Sequence, residues 1–226
     1  MPVTFLLLAA AAIAAYYYLR RPRTPGGGAG ASAAAHARQL RTPAVRLADA
    51  LHIPTQAGAE ADRYEAGAAA ERRTATRIDP LRAEGWTILH DRALPTGRAN
   101  VDHLAISPHG VVILPDTKGW SSRYRIRVVN GCLLHGGWDV TDRLNGLRHE
   151  TRTVSKALGV PVIPLVVMDG APVEGGEQVL DGIRIVPADR ACAVIRDLGR
   201  KLAHPDAPDV AARAARVLPP YQETAR

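Results

Sequence analysis

The chain has 226 residues, of which 46% are hydrophobic, and its 29 Lys and Arg against 22 Asp and Glu give a formal net charge of +7. This is enough apolar content for one globular core. The charge favours a polyanionic partner or an anionic membrane surface, although an arginine-rich composition explains it equally well and the sequence shows no basic-aromatic platform. Cys132 and Cys192 stand far apart without a CxxC pair, which excludes a zinc ribbon, gives no sign of a disulfide framework and favours a reducing compartment.

The N-terminus has the features of a membrane anchor. Residues 2–19 carry no charge, have three tyrosines at positions 16–18, and are followed by Arg20, Arg21 and Arg23. About 17–20 apolar residues span a bilayer, and tyrosines suit its interface. Because the arginines follow the apolar run, the segment differs from a cleaved secretory signal. The positive-inside rule then predicts a single-pass protein of the cell membrane with its globular domain in the cytoplasm.

The remaining chain divides into four predicted segments. A basic and then Gly/Ala-rich linker over residues 20–43 is expected to be flexible, and residues 44–66 form a helical lead-in. The main domain covers residues 67–202, and residues 203–226 form a C-terminal helix and tail. Hydrophobic spacing and turn residues predict these elements in chain order: helices at 44–51 and about 57–77, strands at 86–91, 101–106, 111–116, 124–129 and 132–135, a helix at 142–158, strands at 161–168 and 182–186, and helices at 189–202 and 210–218.

The most informative segment is the predicted β-hairpin over residues 101–116. A three-residue loop from Pro108 to Gly110 places Ser107 opposite Val111, so the numbers of any two facing residues in the hairpin add up to 218. Asp102 then faces Asp116, with Cβ atoms roughly 5 Å apart, and the strand period places Lys118 on the same face. Opposed carboxylates inside strands are costly unless a divalent cation compensates their charge. The competing interpretation is a set of ordinary solvated surface groups.

The residues around this hairpin resemble a known family. Residues 100–103, Asn-Val-Asp-His, are similar to its motif (Q/N)-(I/V)-D-H, and residues 110–120 are similar to G-(V/I)-x-(V/I)-(I/V)-x-(D/E)-(T/S)-K-x-(W/Y). Gly67 and Glu71 match the glycine and glutamate of its first helix. In this order, over about residues 67–198, the motifs resemble the nuclease-related domain, NERD, of the PD-(D/E)xK nuclease superfamily.

The resemblance implies a restriction-endonuclease-like α/β sandwich with a mixed central sheet, preceded here by the transmembrane helix. It implies that Asp102 and Asp116 bind Mg²⁺ or Mn²⁺, that Lys118 is the catalytic lysine, and that Glu71 is a further catalytic acid. The expected protein is a membrane-anchored, metal-dependent nuclease that hydrolyses nucleic acid, DNA in preference to RNA. Its partners are nucleic acid and, through the N-terminal helix, the membrane.

Two residues depart from the family pattern. Ala70 stands where many relatives carry glycine, which bears on how closely the first helix approaches the sheet. A glutamine on the helix after the sheet has no clear counterpart, and His149 or Glu150 falls in that neighbourhood. The strand period turns His103 away from the site, so it is expected to be structural. Core packing rather than base stacking is expected of the two tryptophans nearest the site, Trp120 and Trp138.

Two other classes of function stay open. A catalytically inactive, membrane-tethered module that binds nucleic acid or protein would keep the acids as a structural relic, and a scaffold in an envelope complex would use the domain only for docking. Glu71, beside Arg72 and Arg73, would be a solvated residue on its helix pattern alone. The presence of all four site residues favours chemistry.

Overall fold

The structure is a computed structural model that describes residues 28–96, 99–201 and 207–221. The predicted anchor at residues 2–19 lies outside the described residues. No helix in the part of the chain that is described is both long and apolar enough to cross a membrane.

The described residues contain helices on both sides of a mixed sheet. The α-helices are α1 (Ala31–Leu40), α2 (Pro43–Ala50), α3 (Gln56–Ile78), α4 (Asn145–Leu158), α5 (Ala191–Lys201) and α6 (Ala207–Val217). The strands are β1 (Thr87–Ala93), β2 (Asn100–Ile106), β3 (Val112–Trp120), β4 (Ile126–Val129), β5 (Cys132–His135), β6 (Trp138–Asp139), β7 (Val162–Gly170), β8 (Gln178–Leu180) and β9 (Ile183–Pro187). Short 3₁₀ turns cover Asp79–Glu84, Thr141–Leu144 and Glu174–Gly176.

The main sheet has six strands in the order β1-β2-β3-β7-β9-β8. The β1–β2, β2–β3 and β8–β9 pairs are antiparallel, whereas β3–β7 and β7–β9 are parallel. The hairpin register is the predicted one, because Ala105 pairs with Ile113 and Ile106 pairs with Val112, each pair adding up to 218. A separate antiparallel sheet consists of β4, β5 and β6. The mixed α/β architecture is therefore confirmed.

Alternate residues of the central strands enter two different hydrophobic cores. Leu114 of β3 and Val166 of β7 belong to a core with α4 and α6, whereas Ile113 and Val167 belong to a core with the end of α3 and with α5. This alternation follows from the strand period. It gives the sheet one face toward α4 and the small sheet, and another toward α3 and α5.

Three elements differ from the predictions. Helix α1 lies inside the segment predicted to be a flexible linker, and it packs on α3 with Ala37 fully buried. Its composition misled the prediction because alanine, although common in linkers, is the best helix former. Strands β6 and β8 were not predicted, since two or three residues are too few to show a period. Cys132 and Cys192 are free thiols.

Candidate active site

Asp116 and Lys118 lie on one face of β3, as the strand period predicts. The ammonium nitrogen Nζ of Lys118 is 2.8 Å from Oδ2 and 3.1 Å from Oδ1 of Asp116, and only the contact with Oδ1 has hydrogen-bond geometry. Thr117, between them, points to the other face, where its hydroxyl is 2.9 Å from that of Thr74 on α3. The second half of β3 therefore presents a largely buried ion pair toward α4.

Asp102 lies on β2. The prediction that it pairs directly with Asp116 is wrong. The β2–β3 ladder ends at Ala105 and Ile113, while the residues of β2 other than Asp102 pair with β1. The two carboxylates nevertheless interact. Burial raises the pKa of Asp102 well above its usual range, and the carboxylates of Glu71 and Asp116 raise it further. In this environment Asp102 favours either a bound proton or a nearby cation.

Glu71 reaches the same acids from α3. A Cβ atom at Gly119 of β3 would lie 3.4 Å from Cβ of Ala70 on α3. The glycine in the strand therefore leaves space for the alanine of the helix. Burial raises the pKa of Glu71 to about 7, and the carboxylates of Asp91 and Asp116 add to the shift. Its Oε2 atom is buried without a hydrogen bond. Glu71 is therefore not the solvated residue that its arginine neighbours suggest.

A further acid, Asp91, was not predicted. It lies on β1 with 1% of its surface exposed and a φ of 48°, which is uncommon for a residue other than glycine. Its Oδ2 accepts a hydrogen bond from the Ser32 backbone N–H, and its Oδ1 accepts one from the Asn100 side-chain amide, both at 2.8 Å. The same Asn100 amide is 3.1 Å from the Ser32 hydroxyl oxygen. The first residue of the Asn-Val-Asp-His motif therefore ties β2 to α1.

The N-terminus of α1 is capped by these acids rather than by its own side chains. Its N-cap residue is Gly30, whose backbone N–H donates a hydrogen bond to Glu71. The backbone N–H of Ser32 donates a hydrogen bond to Asp91. A Cβ atom at Gly30 would lie 2.5 Å from the carbonyl oxygen of Ala68, and φ is 72°. Only glycine allows this approach. Two carboxylates at a helix N-terminus are also favoured by the helix dipole.

Glu150 of α4 approaches the ion pair from the other side. Burial raises the pKa of Glu150 to about 7, and Asp116 adds to the shift while Lys118 opposes it. Burial lowers the pKa of Lys118, but the carboxylates of Asp116, Asp102 and Glu150 outweigh it and hold the value above the usual one. His149 is exposed. Of the two residues that the sequence left open at this place, Glu150 is the one near the site.

These side chains form what we call the acidic cluster: Glu71, Asp91, Asp102, Asp116 and Glu150. A cavity of about 530 Å³ opens onto two of its members, Glu71 and Asp102. The cavity lies between α1, α3 and the start of β2, and its polar lining includes Ser32, His36, Gln39, Arg63, Tyr64 and Asn100. Glu71 and Asp102 therefore border this cavity, whereas the other members of the cluster do not line it.

The donor atoms of the cluster suit a hard divalent cation. Oε2 of Glu71 and Oδ2 of Asp116 are buried without hydrogen bonds, and carboxylate oxygens are the ligands that Mg²⁺ prefers. Within the described ranges, no group of three or more His, Cys, Asp or Glu side chains has the arrangement of a metal site. Mg²⁺ commonly takes only one or two protein carboxylates and completes its shell with water and substrate phosphate. The residues therefore fit a two-carboxylate site better than a closed protein cage.

His103 lies on the opposite face of β2, as the strand period predicts. It is fully buried, with Nδ1 2.8 Å from Nδ1 of His90, whose Nε2 is 3.0 Å from the Asp79 carboxylate. Burial lowers the pKa of His103 to about 3, with a smaller contribution from His90. The ring is a neutral part of the core and stands outside the acidic cluster.

Residues 66–168 match a family model described as the nuclease-related domain. The match runs from α3 to β7, and it contains all five members of the acidic cluster together with Lys118. No curated protein and no solved structure matches the chain. The sequence motifs, the mixed sheet and the family match all point to the nuclease-related domain, NERD, and the match covers residues 66–168.

Proposed function

We propose that this domain is a metal-dependent nuclease that hydrolyses phosphodiester bonds, in DNA rather than RNA. The observation that carries the proposal is the buried Asp116–Lys118 ion pair with Asp102 and Glu71 beside it. A buried ammonium among several carboxylates is an unusual arrangement for a structural ion pair, because the acids outnumber the base. Perturbed ionisable groups next to a cavity are typical of functional sites.

Each residue has a distinct proposed part in the reaction. Asp102 and Asp116 would hold Mg²⁺ or Mn²⁺, which supplies positive charge to the scissile phosphate and acidity to water. Lys118, kept protonated by its carboxylate neighbours, donates N–H groups to the negative charge that grows on the phosphate oxygens. Glu71 and Glu150, whose pKa values are about 7, are able to take up or release a proton near neutral pH.

The test is cleavage of supercoiled plasmid, single-stranded DNA and RNA by the full-length chain with Mg²⁺, Mn²⁺ or a chelator. We expect Asp116→Asn and Lys118→Met each to lower the rate by about 100-fold or more, the usual effect of removing one preorganised charge. Asp142→Asn and Lys156→Met are matched controls, since both residues are exposed, and they should cleave as the wild type does. Cleavage that persists in the chelator or in both site variants would refute the proposal.

The alternative is a catalytically inactive binding module. It predicts that the wild type binds nucleic acid with an affinity that falls as salt rises, yet cleaves no substrate with any metal. Asp116→Asn should then leave binding unchanged or strengthen it, because a negative charge is removed.

We also propose that residues 2–19 anchor this domain to the cytoplasmic face of the cell membrane. The uncharged apolar run and the arginines after it support the proposal. Full-length protein should sediment with membranes and resist extraction with high salt, whereas a chain that begins at Thr24 should not. Release of the full-length protein by salt alone would contradict an inserted anchor.

A further inference from the structure

Strand β3 continues beyond the ion pair to an aromatic residue. Trp120 lies two residues after Lys118, so it has the same strand face as Asp116 and Lys118 at about 7 Å along the strand. The indole ring of Trp120 is followed by three more rings from the small sheet and its turns. The ring centroids are 5.5 Å apart for Trp120 and His135, 5.6 Å for His135 and Tyr124, and 5.0 Å for Tyr124 and Trp138.

The backbone holds these rings in place. The Nε2–H group of His135 donates a hydrogen bond to the carbonyl oxygen of Ser121, at 3.0 Å. Gly136 has a φ of 64°, and a Cβ atom there would lie 3.0–3.2 Å from Tyr124 side-chain atoms. A side chain at this position would therefore displace the tyrosine ring. We call the four rings the aromatic platform: Trp120, Tyr124, His135 and Trp138.

The outer end of the platform is open to solvent. Trp138 is 60% exposed, so the expectation that it packs in the core is wrong, whereas Trp120 packs partly against the core as expected. The guanidinium carbon of the exposed Arg123 lies 5.8 Å from the centroid of Tyr124. The platform therefore has the positive charge of Arg123 at its side, which gives it complementarity to a phosphate backbone as well as to flat rings.

We propose that the aromatic platform binds the unpaired bases of single-stranded nucleic acid and directs the strand toward the acidic cluster. This inference rests on the proposed nuclease function and specifies its substrate class. Aromatic side chains stack on any base that is not already stacked in a duplex, and nearby cations follow the backbone. Paired bases in a duplex present only their edges to a protein, so the platform selects single strands, loops or frayed ends.

The test measures binding of the full-length chain by fluorescence anisotropy in a chelator, so that no strand is cut. The probes are a labelled oligothymidylate, an abasic strand of the same length and charge, and the same sequence as a duplex. We expect the wild type to bind oligothymidylate about tenfold or more tightly than the abasic strand, in keeping with the usual contribution of one stacked base. Trp138→Ala should remove most of this difference, and Trp138→Phe should keep most of it.

Leu47→Ala is the matched control, because Leu47 is a large apolar side chain that is 63% exposed on α2. It should bind all three probes as the wild type does, and thermal unfolding should show that Trp138→Ala is folded. Equal binding of oligothymidylate and the abasic strand by the wild type, a preference for the duplex, or wild-type binding by Trp138→Ala would each overturn the platform. Metal-dependent cleavage in those cases leaves the nuclease proposal standing. Binding that depends on the aromatic platform, without cleavage in the presence of any metal, would refute the nuclease proposal and support the platform.

Discussion

Replacement of His103 by asparagine should make the stability of the fold less dependent on pH. The imidazole is fully buried and neutral, and its pKa falls from 6.5 to about 3 because burial disfavours the charged ring. The unfolded chain therefore binds a proton on this residue between these two pKa values, whereas the folded chain does not. The stability that the neutral His103 contributes is fully present above pH 6.5 and is lost as the pH falls toward 3.

The expected size follows from the two pKa values. A pH of about 5 is roughly 1.5 units below the pKa of the histidine in the unfolded chain, which corresponds to about 2 kcal/mol of lost stability. The loss approaches about 5 kcal/mol near pH 3. An asparagine at position 103 keeps a polar group near the Nδ1 position that contacts His90, and it does not titrate.

The assay is denaturant unfolding of wild type and His103→Asn at about pH 7.5 and about pH 5. The variant is expected to be less stable at the higher pH, because a smaller side chain leaves a cavity. The informative quantity is the drop between the two pH values, which should be about 2 kcal/mol smaller in the variant. His109→Asn is the control, since His109 is exposed in the hairpin turn. Equal drops in wild type and His103→Asn would refute the buried neutral imidazole.

Three further predictions concern the acidic cluster. Gly30→Ala should lower the free energy of unfolding by about 1–3 kcal/mol, because its Cβ meets the α3 backbone, whereas Gly28→Ala, with open space around it, should not. Asp91→Ala should cost about 1–3 kcal/mol by leaving its two donors unpaired, and hydrogen exchange at the start of α1 should become faster. Mg²⁺ at about 100 times its Kd should raise the stability of the wild type by about 2.7 kcal/mol. The same Mg²⁺ concentration should not stabilise the Asp102→Asn, Asp116→Asn double variant.

The main elements were predictable because their signals are local. Residues 161–168 form a nearly unbroken apolar run, which indicated a buried strand and corresponds to β7 in the centre of the sheet. The Asn130–Gly131 turn indicated the β4–β5 hairpin, and Pro108 to Gly110 fixed the register of β2 against β3. Composition was a poorer guide. The same Gly/Ala-rich stretch that suggests a linker folds as α1 once α3 offers it a surface.

The site was predictable only where it follows the strand period. Asp116 and Lys118 share a face because they are two residues apart, and this holds whatever the rest of the chain does. Asp91 joins them through a left-handed backbone conformation and a hydrogen bond from Ser32, 59 residues earlier. No local pattern encodes that contact. The aromatic platform was missed for the same reason, since its rings come from the end of β3, from the segment before β4, and from β5 and β6.

Because α1 packs against α3, residues that precede the family match contribute to the site. Gly30 and Ser32 donate to Glu71 and Asp91, so two acids of the cluster obtain hydrogen bonds from a segment that precedes the family match at residue 66. A fragment that begins at Ala44 would keep every residue of the NERD motifs and lose both donors. Without them, Glu71 loses a contact that lowers its pKa, and Asp91 loses a hydrogen-bond donor. The hydrogen bonds of the acidic cluster therefore come both from residues 66–168, which match the NERD model, and from the helix that precedes them.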